Sequence, residues 1–245
     1  ADESWLSKML AIEYSSLFDG LLPFLARIRA PLPLGGTSNH FKMDALGNCG
    51  AWDAWNVTED ADLGVRLARF GYRTDVLRAP TWEEAPIHFR AWRNQRTRWF
   101  KGWMQTWLVH MRNPVALSSD LGLRGTLMFH VMVTGMIGCA LVHPLLLGFL
   151  AFWVVEVWNG LAAGEVISWW VPVDLATVLA GYITFAWLAV RSLRWRGRGL
   201  LIRGLAWLPI YWMALSIAAW RALLHLITKP HQWEKTEHRL RRARQ

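Results

Sequence analysis

The feature that most constrains the fold is a stretch of 31 residues, Gly125 to Val155, that contains no Asp, Glu, Lys or Arg. A helix of that length is about 46 Å long at about 1.5 Å per residue, whereas the hydrocarbon core of a bilayer is about 30 Å thick. The stretch is too long for one perpendicular crossing and too short for two comfortable ones. It therefore predicts a kinked membrane span, or a surface helix that leads into a span, with the break at Pro144.

Two further apolar stretches follow. Val173 to Val190 has 18 residues with Asp174 as its only charge, which is just long enough to cross a membrane. Leu205 to Trp220 has 16 uncharged residues and is borderline, so we expect it to lie in the interface. The chain also has 18 tryptophans, an excess that is typical of interfacial belts and sugar-stacking surfaces.

The positive charge is concentrated beside these stretches and predicts the orientation of the chain. Residues 125–245 carry 12 basic and 5 acidic side chains, against 15 and 13 in residues 1–124. Because Lys and Arg stay on the cytoplasmic side, segment 191–203, with five arginines and no acid, is expected to be cytoplasmic. This gives two spans and an interfacial or re-entrant third helix. The predicted domains are a cytoplasmic part, 1–124, membrane and interfacial helices, 125–227, and a basic cytoplasmic tail, 228–245.

Composition excludes several other classes of protein. The chain is 53% hydrophobic, which excludes a disordered chain, and two cysteines exclude a disulfide framework. The arginines cluster beside apolar stretches, and no nucleic-acid motif is present, so we expect lipid rather than nucleic acid as their partner. The first ten residues do not form a signal peptide, and we expect the chain to be cut from a longer one.

The first half of the chain, residues 1–124, is predicted to have a mixed α/β fold. Apolar residues at helical spacing predict a helix over Ser4 to Ile28. A second helix is expected to start at Asn56 or Thr58 and to stop at Gly71, and a third to run from Ile87 to Arg112. Tyr72 to Ala79 suits a short strand before Pro80.

Three motifs in this half resemble a known family. They are GGTSNHF at 35–41, NVTEDADLGVRLARFGY at 56–72 and QRTRW at 95–99. Together with the membrane stretches that follow, they resemble the membrane-bound, cellulose-synthase-like family 2 glycosyltransferases over essentially the whole chain. The resemblance implies an α/β fold, the second half of a GT-A type nucleotide-sugar transferase domain, followed by transmembrane helices. It also implies that the nucleotide-binding strands and a metal-binding DxD belong to a missing upstream part. A divalent metal, Mg or Mn, would then be bound upstream, and these 245 residues alone are expected to be inactive.

The Thr58-Glu59-Asp60 sequence is the first candidate site. A carboxylate in the first turn of a helix faces free N–H groups and the positive end of the helix dipole, so Asp60 is expected to be ionised and placed to act as a base. By resemblance, Asp60 takes the proton of the acceptor hydroxyl, while Glu59 and Thr58 shape the pocket. The alternative interpretation is that these residues only cap a helix.

A second interpretation makes Asp60-Ala61-Asp62 the metal-binding motif itself. Residues two apart lie about 200° around a helix axis, so the two carboxylates diverge and joint chelation is disfavoured. The preceding residues also do not form an apolar strand. We therefore predict no metal ligand within this chain.

The QRTRW motif is the other candidate site. Gln95, Arg98 and Trp99 share one helical face. Arg98 offers a planar fork suited to a diphosphate, and Trp99 offers a ring on which a pyranose can stack, roles that the resemblance assigns to them. The alternative is an interfacial helix whose basic residues meet lipid, the role expected for Arg90, Arg93 and Lys101.

Two weaker elements complete the candidate site. The resemblance makes Ser38 and Asn39 substrate neighbours, although Gly-Gly followed by small polar residues marks any turn. The segment 230–238 resembles a family motif that covers the nucleotide site, with a solvated basic tail as the alternative.

The predicted function is transfer of a sugar, with inversion, from a nucleotide sugar to a saccharide or lipid-linked acceptor in polysaccharide synthesis. The predicted location is the bacterial inner membrane, with the catalytic part in the cytoplasm. The competing hypothesis is a membrane-anchored protein that only docks partners or lipid.

Overall fold

The computed structural model describes residues 4–77, 79–163 and 169–230, of which residues 162 and 163 are described by their backbone alone. Every regular element in these ranges is helical. The α-helices are α1 Trp5–Tyr14, α2 Leu22–Arg27, α3 Met43–Asn48, α4 Glu59–Arg69, α5 Phe89–His110, α6 Pro114–Phe129, α7 Gly135–Ala163, α8 Trp170–Trp195 and α9 Leu208–Thr228. Two π-helical segments, Ser15–Leu21 and His130–Thr134, and a 3-10 segment, Gly199–Trp207, connect some of them.

The predicted α/β fold, the second half of a GT-A type domain, is wrong for the described residues. Residues 72–77, where a strand was expected, follow α4 as an irregular chain, and no strand occurs in the described ranges. A strand exists only when its N–H and C=O groups pair with a neighbouring strand. The described part of the chain supplies no such neighbour for Tyr72 to Leu77.

The three helices expected in the first half are confirmed. Ser4 caps α1 through a capping box with Ser7, and α1 continues through the π-helical segment into α2. The second helix is α4, and Gly71 follows it with a left-handed φ of 76°, which glycine adopts without strain. The third helix is α5, which ends at His110 rather than Arg112.

Helices α5 and α9 lie side by side and form the centre of the structure. Phe100 and Met104 of α5 pack against Ala218, Ala219 and Ala222 of α9. Small side chains let two helix backbones approach closely, which is how helices commonly pair in an apolar surrounding. The α9 face that these alanines form is therefore covered by α5.

A buried ion pair joins this pair of helices to α1. Arg96 in α5 is 4% exposed, and its guanidinium donates to both carboxylate oxygens of Glu13 in α1, at 2.6 and 2.8 Å. The Tyr211 hydroxyl of α9 donates to Glu13 Oε2 at 2.5 Å and lies 3.3 Å from Arg96 Nη2. Around them pack apolar residues of α1, α5, α8 and α9, including Met9, Trp92 and Leu193. The triad therefore fixes three helices at one buried point.

Four helical stretches in the described ranges are long and apolar enough to cross a membrane. They are Trp5–Arg27, Pro114–Leu161, Trp170–Trp195 and Gly199–Thr228. The second and third match the two predicted spans, and the fourth contains the predicted interfacial helix. The first was not predicted as a candidate, because Glu13 and Asp19 interrupt its apolar residues.

The break in the first apolar stretch is not at the predicted residue. Helix α7 continues through Pro144, whereas Gly122 within α6 has non-helical angles, φ 65° and ψ 170°. A proline removes one helical hydrogen bond, which an apolar helix tolerates, whereas a positive φ turns the chain. The kink therefore precedes the uncharged stretch.

We expect Glu13→Gln to destabilise the protein, since it leaves the buried Arg96 guanidinium without its counter-charge. Breaking a buried ion pair in this way costs on the order of 3 kcal/mol. Denaturant unfolding of the detergent-solubilised protein measures the change. Glu84→Gln is the control, because Glu84 is exposed and such surface changes cost about 0.5 kcal/mol or less. Equal effects of the two substitutions would contradict a structural role for the pair.

Candidate active site

The turn before α4 is held against α5 by polar contacts. Asn56 is buried; its Oδ1 accepts the backbone N–H of Thr58 at 3.0 Å, and its Nδ2 donates to Thr106 Oγ1 at 2.9 Å. The backbone N–H of Val57 donates to Gln105 Oε1 at 3.4 Å. Thr58 takes the N-cap position as predicted, but its side chain makes no capping hydrogen bond. Its hydroxyl lies 3.4 Å from Asn56 Oδ1 instead.

Gly102 sets how closely the two candidate motifs approach. A Cβ at this position of α5 would overlap the Thr58 side chain and would lie 2.7 Å from Thr58 Cβ. Gly102 is four residues after Arg98 and therefore lies on the same helical face. The structure thus brings the start of α4 directly against the face that carries the QRTRW motif.

Asp60 lies half-buried at this junction. Its Oδ1 accepts the backbone N–H of Ala61 at 2.8 Å. On its other side is Gly36, where an added Cβ would lie 3.1 Å from Asp60 Oδ2. Burial raises the pKa of Asp60 above the ordinary aspartate value, and the neighbouring Glu59 adds to the rise. The Ala61 N–H and the Arg98 guanidinium oppose it by stabilising the charged form.

Arg98 interacts electrostatically with the acidic pair. Partial burial lowers the pKa of Arg98, whereas the charges of Glu59 and Asp60 act to raise it. The two predicted motifs therefore share one electrostatic environment, in which a cation faces two carboxylates. From the sequence, the proximity of Asp60 and Arg98 could be inferred only through the family resemblance, because the two residues are 38 apart along the chain.

The two other residues of the QRTRW face are placed differently. Gln95 is half-buried, and its Oε1 is inaccessible to solvent and has no hydrogen-bond partner among the described residues. Trp99 is stacked at 19° on Tyr14, with ring centroids 6.3 Å apart, and the Arg96 guanidinium lies 4.5 Å from its ring centroid. A sugar ring could stack only on the part of the Trp99 surface that these two groups leave open.

Ser38 and Asn39 form an exposed loop. Ser38 has a left-handed φ of 60°, and its hydroxyl lies 3.0 Å from Thr81 Oγ1. The Asn39 amide donates to the Gly35 carbonyl at 2.5 Å, so it closes the turn. Ser38 thus connects the loop to Thr81, whereas the Asn39 contact lies within the loop. Gly36 of the GGTSNHF motif lies beside Asp60.

Asp62 points away from this site and is used in a buried network. Its Oδ2 accepts from Arg66 Nε at 2.7 Å, and its Oδ1 lies 3.1 Å from His110 Nε2. Arg69 Nη1 lies 3.1 Å from His110 Nδ1, and since a guanidinium only donates, Nδ1 accepts and Nε2 carries the proton. These partners lower the pKa of Asp62 despite its burial. Asp62 therefore anchors α4 to the end of α5.

This arrangement does not fit a divalent metal at Asp60-Ala61-Asp62. Both Asp62 oxygens already have partners, and one Asp60 oxygen accepts a backbone N–H. Among the described residues, no cluster of three or more His, Cys, Asp or Glu could hold a metal ion.

Several site-forming residues were missed or misread in the sequence. Arg96 and His110 have partners far along the chain, so no local pattern identifies them. Lys101 was expected to face lipid, yet it is buried and donates to the Lys229 carbonyl at 2.7 Å. Gln105 Nε2 donates to the Pro230 carbonyl at 3.4 Å. Lys101 and Gln105 are four residues apart and so share one helical face, which is a weak sequence signal that both contact the same neighbour. The rest of the predicted tail motif, 231–238, lies outside the described residues.

A model of the family described as "Glycosyl transferase family group 2" matches residues 1–228. The chain belongs to this glycosyltransferase family. The members of this family are described as glycosyl transferases. The resemblance drawn from the three motifs is confirmed at this level.

One curated relative supports the same assignment. The chain is 34% identical over 68 residues to the "Probable glycosyltransferase YdaM" of Bacillus subtilis (strain 168). The match covers 27% of this glycosyltransferase chain and 16% of the relative. No solved structure matches the chain.

We expect Gly102→Ala to destabilise the protein, because the new methyl overlaps Thr58. Overpacking of this kind costs about 1–3 kcal/mol, against a gain of up to about 1 kcal/mol in helix propensity. Gly138→Ala in α7 is the matched control, since its Cβ would meet no atom within 4 Å. Denaturant unfolding in detergent compares the two. A Gly102→Ala protein as stable as Gly138→Ala would show that the turn can move away freely.

Proposed function

We propose that the protein transfers a sugar, with inversion, from a nucleotide sugar to a saccharide or lipid-linked acceptor, with Asp60 as the base. The observation that carries the proposal is the position of Asp60: half-buried, with a raised pKa, and in the electrostatic field of Arg98. Gly102 and Asn56 hold the start of α4 in that position. A residue that merely capped a helix would need none of these contacts with α5.

The proposed chemistry follows from the charges at this junction. Asp60 accepts the proton of the acceptor hydroxyl while the hydroxyl oxygen attacks the anomeric carbon of the donor sugar. The bond from that carbon to the nucleotide diphosphate breaks on the opposite side. A carboxylate whose pKa is raised toward neutrality takes a proton more readily than an ordinary aspartate. Its partial burial therefore favours the role of a base.

The residues of the QRTRW face support the leaving group and the acceptor. Arg98 supplies a permanent positive charge and a planar fork for the departing diphosphate. Gln95, half-buried on the same face, contributes its side-chain amide to binding the acceptor or the leaving diphosphate. Trp99 offers its open surface to a sugar ring. Thr58 and Glu59 shape the pocket, and Ser38 and Asn39 lie on the loop whose Gly36 borders Asp60.

A membrane location is supported by the four apolar helical stretches. We place two of them across the bilayer, within Pro114–Leu161 and Trp170–Trp195, and the others along the cytoplasmic surface. Helix α9 packs beside α5 from Tyr211 to its end, where Lys101 holds the Lys229 carbonyl. Since α5 carries Arg90, Arg93 and Arg98 and contacts the active-site turn, α9 lies in the same surface layer. The Glu13–Arg96 pair supports the same position for α1.

The finer assignments follow from the resemblance to the cellulose-synthase-like members of the family. They are a hexosyl donor, processive polysaccharide synthesis, the bacterial inner membrane, and the three domains 1–124, 125–227 and 228–245. A divalent metal, Mg or Mn, would be bound by a part of the protein upstream of these residues. These 245 residues alone would not catalyse sugar transfer. Sugar-nucleotide turnover by the full-length protein distinguishes this proposal from a non-catalytic docking protein.

Asp60→Asn tests the base. The substitution keeps the size of the side chain and removes its charge, so turnover by the full-length protein should fall by about 10²- to 10⁴-fold. Donor binding should remain largely intact, which calorimetry with the nucleotide sugar measures. Asp44→Asn is the matched control, because Asp44 is also an acid in the first turn of a helix but is exposed and is not part of the candidate site. Normal turnover in Asp60→Asn would exclude Asp60 as the base.

The raised pKa of Asp60 also predicts the pH dependence of turnover. Asp60 acts as a base only when ionised, so kcat should fall as the pH drops through its raised pKa, above the range where an ordinary aspartate titrates. The acid limb of the pH profile should disappear from the residual activity of Asp60→Asn. An unchanged limb would assign it to another group.

Arg98→Lys tests the forked contact with the leaving group. An ammonium keeps the charge but cannot make two parallel hydrogen bonds, so we expect a loss of turnover of at least about tenfold. Arg93→Lys is the control on the same helix, and it should have little effect. Similar losses in both variants would indicate that Arg98 acts only as a surface charge.

A further inference from the structure

A cleft at the other end of α4 has no part in the proposed sugar transfer. It encloses about 390 Å³ and lies between the end of α2, the chain after α4, and α6. Its lining includes Arg27, Arg29, Arg73, Asp120 and Gly125. Ala68 of α4 also lines it, eight residues and therefore about 12 Å along the helix from Asp60. The cleft is thus distinct from the candidate active site.

The residues that line this cleft carry a net positive charge. In the described part of the chain, no carboxylate lies within ion-pair distance of Arg27, Arg29 or Arg73. Asp120 is neutralised by Arg69, whose Nη2 lies 2.7 Å from Asp120 Oδ2. The remaining acid, Asp75, accepts the backbone N–H of Val76 at 2.7 Å. Three arginines therefore line a cavity of ligand size together with Asp75, which forms an ion pair with none of them.

The position of the cleft relates it to the membrane. Gly125, which lines it, is the first residue of the 31-residue stretch without charges. Leu121 lines it as well, next to the kink at Gly122. The cleft therefore lies where α6 turns toward the uncharged stretch. In the membrane placement proposed above, this is the level of the lipid headgroups.

We propose that this cleft binds the phosphate of an anionic membrane lipid, with Arg27, Arg29 and Arg73 as its ligands. Guanidinium groups pair with phosphate oxygens through two parallel hydrogen bonds, and basic pockets between membrane helices bind anionic headgroups. The apolar Leu121 and Gly125 at the cleft continue into the lipid-facing helix, along which an acyl chain would lie. A soluble phosphate would gain nothing from that second surface, so the geometry points to a lipid.

This inference rests on the proposed membrane placement but not on the chemistry assigned to Asp60. The two can fail separately. Extraction of the protein from membranes by an alkaline wash would contradict the placement, whereas the cleft is tested by lipid binding in detergent, where no bilayer is needed.

The experiment measures binding of dioctanoyl phosphatidylglycerol to the full-length protein in a neutral detergent, by native mass spectrometry. Replacing Arg27, Arg29 and Arg73 together by Gln should weaken binding by about fivefold for each arginine, or about 100-fold in total. The matched control replaces three exposed arginines of the basic segment 191–203, namely Arg191, Arg194 and Arg203, by Gln. It removes the same charge and should leave binding within about twofold. The unfolding midpoint of each variant verifies that it is folded.

Three outcomes would overturn the proposal. Equal weakening in the two triple variants would mean that lipid binding depends only on the overall charge of the protein. Unchanged binding in the cleft variant would place the lipid elsewhere. Competition with sodium pyrophosphate separates the two sources of phosphate: displacement of the lipid by pyrophosphate at equal concentration would assign the cleft to a soluble ligand. Dioctanoyl phosphatidylcholine, which has no net charge, should bind at least about tenfold more weakly than the anionic lipid.

Discussion

The buried pairing of Arg96 with Glu13 and Tyr211 is the interaction on which the rest of the structure depends. It joins α1, α5 and α9, which are distant in sequence and would otherwise meet only through apolar contacts. Apolar contacts are not directional, and they give little preference for one register of helices over another. A two-pronged contact between a guanidinium and a carboxylate admits few arrangements. The pairing thus fixes the rotation of α5 about its own axis.

That rotation determines where the QRTRW face points. With Arg96 turned toward Glu13, Arg98 and Gly102 face the start of α4, where Thr58 and Asp60 lie. The electrostatic state of Asp60 then follows from packing: burial raises its pKa, and the nearby Arg98 limits the rise. Neither the burial nor the effect of Arg98 can be derived from the Thr58-Glu59-Asp60 sequence alone. The motif places a carboxylate at a helix start, and α5 supplies its surroundings.

The extent to which the sequence predicted this structure depends on the range of each interaction. Helices α1, α4 and α5 and the two long apolar stretches were predictable, because apolar spacing and absence of charge are local patterns. The face shared by Gln95, Arg98 and Trp99 follows from helical geometry in the same way. The proposed strand at Tyr72 failed because a strand needs a partner elsewhere in the chain. The roles of Arg96, His110 and Gly102 were invisible, since their partners are 83, 48 and 44 residues away.

Gln105 has a consequence beyond the site geometry. The two ends of its side-chain amide serve different parts of the chain: the oxygen accepts the Val57 N–H, and the nitrogen donates to the Pro230 carbonyl. An amide is rigid and planar, so a shift of one partner reorients the hydrogen bond to the other. The point at which the chain leaves α9 and the residue that precedes Thr58 are therefore hydrogen-bonded to the same side chain. The position of the chain after α9 and the geometry of the turn before the α4 carboxylates thus share one amide group.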